Sequence, residues 1–452
     1  MRRRLPERTR MSQQNGSAFT RRGFLGVAGA AAATTLLAAC SGGGSGSGGG
    51  GGGGGQISFW NQPWGNTQFN PLDQKITTAY KPKSGLPTVK YQVIQWANFA
   101  QRYSTAVASN TNPEISSGGG TQAFLFESQG KIHYADDLYK TWQSNGLYSD
   151  FLPGLIDTLK TKNGYAAIPY NLDMRVMWYN KQLLDSVGAT PPTTWDEFEA
   201  VCKKLKAKGI YGYGTYSGAG GFTGFHNLVS HMINNGGGLF NANQEPDCVT
   251  QPNIDAMNWV IGLVKQGFVD PRAGTYTAQN AQDQYKANKF GMGFDTGGLA
   301  QNVGGTVGAN LKVASPLTSH SGAKGALFFP NNIMMYKHNR SIKGTEAFAT
   351  YYYQNMKQLW TQKTGIGLPV LKSIADTPEF KSDPNNVKIL SEWQPVSKTW
   401  GAPGGNTVFL NVTAVDGTAP GTTFTQAILS GNTTAKAALT TLQNSLQASI
   451  KK

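Results

Sequence analysis

Residues 41–55 read SGGGSGSGGGGGGGG, fifteen positions holding only glycine and serine. No packed element can be built from them, because they bring almost no side chain to bury and lose much backbone freedom on ordering. Whatever this 452-residue chain folds into, it folds from residue 56 on, where QISFW begins. The run itself is a random coil with an r.m.s. span of roughly 20 Å, from about 5–6 Å × √15. It also takes 12 of the 57 glycines, while the whole chain is 39% hydrophobic and 11% aromatic. That is enough for a core with a surplus of large flat side chains, and the length allows two domains of ordinary size.

What precedes the run reads as a targeting segment. TRRGFLG, Thr20 to Gly26, pairs two arginines with Phe24 and Leu25, and an Ala- and Leu-rich stretch follows. Charged n-region and apolar h-region in that order form an export signal, and the twin arginine points to the twin-arginine route. The stretch 24–39 is short and alanine-rich for a membrane span. It ends in Leu37-Ala38-Ala39-Cys40, the pattern of a bacterial lipobox, so residues 1–39 read as a signal and Cys40 as a lipidation site. Cys40 and the 41–55 leash then tie an exported body to the outer face of the cell membrane. The formal charge is +15, but residues 1–39 hold seven Arg and one Glu, which leaves 33 basic and 24 acidic residues. No Lys/Arg stripe is interleaved with aromatics, so the excess reads as a mildly basic solvated surface and not as a nucleic-acid site.

From residue 56 the periodicities alternate. Strands are expected at 56–60, 88–94 and 113–117, with helices at 70–80 and 96–109 between them, a β-α-β-α-β order that implies a parallel sheet. Met174–Tyr179 reads as a buried strand. In PPTTWDEFEAVCKKLKAKGI, Thr194 caps a helix, Glu197 completes a capping box, and Trp195, Phe198, Cys202 and Leu205 form its apolar stripe. Cys202 is therefore a small buried hydrophobe sooner than half of a bridge to Cys248. Further helices are expected at 225–235, 253–267 and 343–360, and two more in the tail, broken at Gly431 and resumed from Thr433 or Thr434.

The catalytic patterns G-x-S-x-G and H-E-x-x-H, the P-loop and G-x-G-x-x-G do not occur. GYGTYSG, Gly212 to Gly218, is one residue too long for a dinucleotide loop. The five histidines have neither nucleophile nor metal spacing, and no cofactor or metal is expected. Binding chemistry is better represented. Sugars are met by aromatic faces and by planar polar groups, and in α/β sheets such groups sit on loops beyond the strands' carboxyl ends. The chain places such residues there repeatedly: Trp60-Asn61-Gln62-Pro63-Trp64, Ser116-Ser117, Tyr170-Asn171-Leu172-Asp173, Asp295-Thr296-Gly297 and Asn331-Asn332.

NGYAAIPYNLDMRVMWYNKQLLDSVGATPPTTWDEFEAVCKKLKAKGI resembles the extracellular solute-binding proteins of ATP-binding-cassette sugar importers, the maltodextrin type. Gly164, Ile168-Pro169, Tyr179-Asn180-Lys181, Gly188, Pro191-Pro192, Thr194 to Phe198, Lys204 and Gly209 carry the likeness. FGMGFDTGG, GIGLPVLKSI and ILSGNTTAKAAL extend it over roughly residues 56–452. The resemblance implies an α/β, two-lobed fold of the periplasmic-binding-protein type with a hinge and a ligand in the cleft. One lobe would comprise 56–168 and 308–368, the other 169–307 and 369–452. It implies a monomer without catalysis that hands a mono- or oligosaccharide to permease subunits. Expected ligand contacts are Trp60, Asn61, Gln62, Trp64, Ser117, Tyr170, Asp173, Asp295, Gly297 and Asn331. The family's tryptophan after the 290–296 strand falls at Gly298 here, so a stacking platform is expected elsewhere, from Trp393 or Trp400 in EWQPVSKTWGAPGGN or from Phe222 or Phe225. Competing readings are a binding protein for a polyol, glycerophosphodiester or peptide, a surface polysaccharide-active enzyme, and a signalling or adhesion module.

Overall fold

The computed structural model describes residues 55–96, 99–218 and 222–450. The export signal, Cys40 and all of the leash but Gly55 lie outside the described residues. The principal strands are β1 (Gln56–Asn61), β2 (Thr88–Val93), β3 (Ile115–Gly118), β4 (Ile168–Asn180), β5 (Tyr211–Gly214), β6 (Phe290–Thr296) and β7 (Phe328–Tyr336). The principal helices are α1 (Phe69–Thr78), α2 (Phe99–Ala108), α3 (Trp195–Lys206), α4 (Thr223–Asn234), α5 (Gln251–Lys265), α6 (Ile342–Asn355), α7 (Ala419–Ser430) and α8 (Ala435–Ile450). Among the described residues no helix is long and apolar enough to cross a membrane. Gly52–Lys452 forms one compact unit.

The strands run in the order β2-β1-β3-β7-β4-β6-β5. The expected parallel portion exists: β1 pairs with β2 (Ile57 opposite Val89) and with β3 (Phe59 opposite Ile115). The sheet as a whole is mixed, because β7 comes back from more than two hundred residues later and lies antiparallel to both β3 and β4. Strand β4 organises the rest. As far as Met174 it pairs with β7, and from Arg175 onward with β6. Its thirteen residues are buried almost throughout; the strand starts at Ile168, ahead of the expected Met174–Tyr179, and takes in Tyr170 to Asp173, which the sequence reading put on a loop.

Local signals explain the element ends. Thr194 caps α3 by accepting the Glu197 N–H, while Glu197 turns back one residue further than a capping box requires and accepts the N–H and O–H of Thr193, both at 2.7 Å. Gly431 ends α7 in the left-handed region (φ +69°), and Thr434 Oγ1 accepts the Ala437 N–H to start α8. The single helix expected over 343–360 is two: α6 stops at Asn355 and a short turn, Gln358–Thr361, follows. Beyond that break the chain turns, and Trp360 Nε1–H reaches the Gly367 carbonyl at 2.8 Å. Cys202 and Cys248 are free and buried, and burial pushes both thiols up, Cys248 to about 12.

Candidate ligand-binding cleft

A cleft of about 690 Å³ opens beside β4 and β7, in the size range of small-molecule sites. Asn171 to Met174 of β4 and Asn331 of β7 form its floor. Trp64, Gly65 and Asn66 enter from the loop after β1, Thr296 to Gly298 from the end of β6, and Trp360 and Lys363 to Leu368 from the segment after α6. Glu379, Phe380 and Asp383 close one side. A smaller groove of about 340 Å³ between α7 and α8 carries no charged group, and the candidate site is placed in the larger cleft.

The loop after β1 is pressed onto the segment after α6. A Cβ at Gly65 would collide with the Thr364 carbonyl oxygen, and the Asn66 N–H donates to that oxygen at 2.7 Å. Asn66 Nδ2 also donates to the carbonyl of Lys363, which is in the left-handed region at φ +53°. Such a conformation costs a lysine on the order of 1 kcal/mol and persists where surrounding contacts fix it.

Trp64 is held from behind. Its Nε1–H is shared between Asn61 Oδ1 and Ser117 Oγ, both at 3.1 Å. Asn61 Nδ2 donates to Asp73 Oδ2 at 2.6 Å and to Tyr170 Oη at 3.2 Å, and Tyr352 O–H donates to Asp73 Oδ1 at 2.6 Å. Ser117 Oγ in turn accepts the Gln62 N–H and donates to Gln62 Oε1. Asn61, Gln62, Ser117, Tyr170 and Asp73 are all inaccessible. Burial raises Asp73 to about 6, opposed by the hydrogen bonds from Tyr352, Tyr91 and Asn61.

The β4 side of the cleft is charged. Asp173 Oδ1 accepts from Arg175 Nη1 at 2.7 Å, with the Asp173 side chain 34% exposed and that of Arg175 only 5%. Arg175 lies over the Phe329 ring, 4.7 Å from its centroid. Beside them, Asn331 Nδ2 donates to Asn171 Oδ1 at 3.0 Å, and Asn171 Nδ2, a buried donor, has no partner among the described residues. An unpartnered amide N–H beside a cleft is suited to donate to a ligand oxygen.

Of the residues expected to contact ligand, Trp64, Asp173, Gly297 and Asn331 line the cleft, while Asn61, Gln62, Ser117 and Tyr170 stand behind Trp64. Trp60 faces away, against Tyr103 and under Arg102, because successive residues of β1 point to opposite sides. Asp295 is buried, accepts the Thr296 N–H at 2.7 Å, and is raised to about 6 mainly by burial. Phe222 is exposed beside Gly417. Neither tail tryptophan lines the cleft: Trp393 is inaccessible and bonds the Ala314 carbonyl at 2.8 Å, and Trp400 packs among Phe225, His226 and Phe329. Both are core anchors for the tail in this conformation. The second cleft tryptophan is Trp360, which the helical reading of 343–360 concealed. Its only sequence signal is the GIGLP stretch that follows it.

The family model of the bacterial extracellular solute-binding protein matches residues 64–359. The chain belongs to this family. Among solved structures, this solute-binding protein is similar to a sugar transporter of Arthrobacter chlorophenolicus A6 with bound laminaribiose, with 43% identity, a TM-score of 0.78 and coverage of 87% of this chain and 99% of the other. The diacetylchitobiose binding protein of Streptomyces coelicolor is 25% identical over 222 residues, 47% of each chain. The sugar-binding protein of Xanthomonas citri shares the fold at 16% identity, with a TM-score of 0.72 over 88% of this chain and 97% of its own. The two-lobed α/β fold expected from the sequence is the fold of this solute-binding protein.

Proposed function

We propose that the protein captures a neutral oligosaccharide outside the cell and delivers it to the permease subunits of an ATP-binding-cassette importer, with a β-1,3-linked glucose disaccharide as the lead ligand. The observation that carries this is the 43% identity, over 87% of the chain, to a protein holding laminaribiose. The lining agrees with it. Trp64 and Trp360 offer aromatic surface, Asn66, Asn171, Gln301, Asn302 and Asn331 offer amides, and Lys363 is the one cation among the described lining residues against Asp173, Glu379 and Asp383. That balance disfavours a glycerophosphodiester, which calls for a cationic cluster.

Purified protein spanning residues 56–452 is expected to gain thermal stability with laminaribiose or longer β-1,3-glucans and to release no reducing sugar from them. A shift with peptides or polyols and none across a carbohydrate panel overturns the sugar reading, and turnover of the glucan supports a polysaccharide-active enzyme instead.

The remaining assignments belong to the same proposal. Residues 1–39 direct export by the twin-arginine route, Cys40 carries diacylglycerol, and residues 41–55 let a monomeric body turn above the membrane to meet its permease. The lobes are 56–168 with 308–368 and 169–307 with 369–452, crossed by β4. Export of Cys40→Ser into the medium, against retention of the parent at the cell surface, tests the anchor.

A further inference from the structure

Behind Asp173 a series of hydrogen bonds runs away from the cleft. Arg175 Nη1 holds Asp173 Oδ1 at 2.7 Å, Arg175 Nη2 meets His226 Nδ1 at 2.9 Å, and His226 Nε2 meets Asp416 Oδ1 at 2.9 Å. A guanidinium has donors only, so Nδ1 must accept, and Nε2 carries the imidazole proton toward Asp416. The His226 side chain is 8% exposed and that of Asp416 29%. His226 is further confined by Phe329, 4.7 Å between ring centroids, and by Trp400 at 5.7 Å. The three links join β4, the first turn of α4 and the turn before α7, elements far apart in sequence.

We propose that His226 and Asp416 are positioning residues for the ligand-binding carboxylate, acting through Arg175 to fix which oxygen of Asp173 is engaged and which is left for a sugar hydroxyl. Arg175 alone does not fix Asp173, because a guanidinium with one free edge can rotate and exchange the two carboxylate oxygens. With Nη2 tied to His226 and the ring tied to Asp416, that rotation breaks two bonds. Free energy spent on ordering the carboxylate is then supplied by the fold and not at the moment of binding. The role of Asp173 as a ligand contact rests on the function proposed above.

The test uses His226→Phe, which removes both links, His226→Gln, whose Oε1 can accept from Arg175 while Nε2 donates to Asp416, and Asp416→Asn at the half-exposed far end. Laminaribiose affinity is measured by calorimetry, and the side-chain carboxyl carbon resonance of Asp173 is followed in ligand-free protein. His226→Phe is expected to weaken binding at least threefold and to displace the Asp173 resonance. His226→Gln is expected to recover most of that loss, Asp416→Asn to act in the same direction but less, and His226→Phe to add nothing in an Asp173→Ala background. An unmoved Asp173 resonance in His226→Phe, or an additive loss in the Asp173→Ala background, overturns the proposal. If the parent binds no β-1,3-glucan but the resonance still moves in His226→Phe and returns in His226→Gln, the lead ligand is wrong and the positioning role stands.

Discussion

The two sides of the cleft each hold one cleft-lining side chain from behind, but by different chemistry. Trp64 hangs on an uncharged set, Asn61, Ser117 and Tyr170, backed by one buried carboxyl, Asp73. Asp173 hangs on the Arg175 cation, with the neutral ring of His226 and then the Asp416 carboxylate behind it. An aromatic ring needs a fixed plane, and shared N–H bonds set a plane. A carboxylate needs a fixed rotation and a counter-charge, and the guanidinium supplies both. The uncharged side should contribute area and shape, the charged side orientation, and substitutions can separate the two.

The largest expected effect on affinity is at Trp64. Trp64→Ala removes the platform and should weaken laminaribiose binding about a hundredfold, the scale of an aromatic hot spot. Trp64→Phe keeps a face and loses the N–H, so most of that loss should return. Asp173→Ala should cost more than tenfold, roughly 1.4 kcal/mol or more for a charge-assisted bond. If calorimetry finds Asp173→Ala the costlier of the two, the charged side dominates and the comparison reverses. Ser117→Ala removes one of two acceptors for the Trp64 N–H and leaves the buried Gln62 N–H and Oε1 unpaired. A loss of about 1–3 kcal/mol in unfolding free energy is expected, with only a few-fold loss of affinity because Asn61 still accepts.

The cleft-lining residues Trp64 and Asp173 were more legible in the sequence than the residues that hold them. Trp64 lies on the loop after β1, where α/β sheets place ligands, while Asp173 was marked by its residue type and lies within β4, just before its pairing passes from β7 to β6. Asn61, Gln62 and Ser117 were legible as polar residues at the same loops, but their task depends on Asp73 and Tyr352, which lie 279 positions apart. Nothing local in DQKITTAY or TYYYQN announces that they meet. Helix periodicity gave α3 closely, and Gly431 marked the break between α7 and α8, since these caps and stripes are local. It failed at 343–360, where aromatics continue across a break between Asn355 and Gln358. Trp393 and Trp400 look like platforms by type, yet their burial follows from how the tail folds back over Ala314 and Phe329.

The last contrast is in stability against pH and not in affinity, and it separates the two supports by sign. Asp73 is raised from 3.8 to about 6, chiefly by burial, so the folded state binds its proton more tightly than the unfolded chain. Its contribution is greatest below about pH 4 and is lost as pH rises through 6, on the order of 3 kcal/mol in all. His226 is lowered from 6.5, first by burial and then by Arg175, against the opposing pull of Asp416 and Asp173. There the neutral ring is the folded form, and its contribution is complete above about pH 6.5 and lost on acidification. In the parent protein the two trends oppose each other between pH 4 and 6.5, with Asp295 adding to that of Asp73. Asp73→Asn should steepen the loss of stability on acidification, and His226→Gln should steepen the loss on going from pH 4 to 6. Chemical unfolding at half-unit pH steps reads both slopes. Equal slopes in the two variants would mean that neither group titrates differently on folding, and the contrast between an uncharged and an ionic support would then rest on geometry alone.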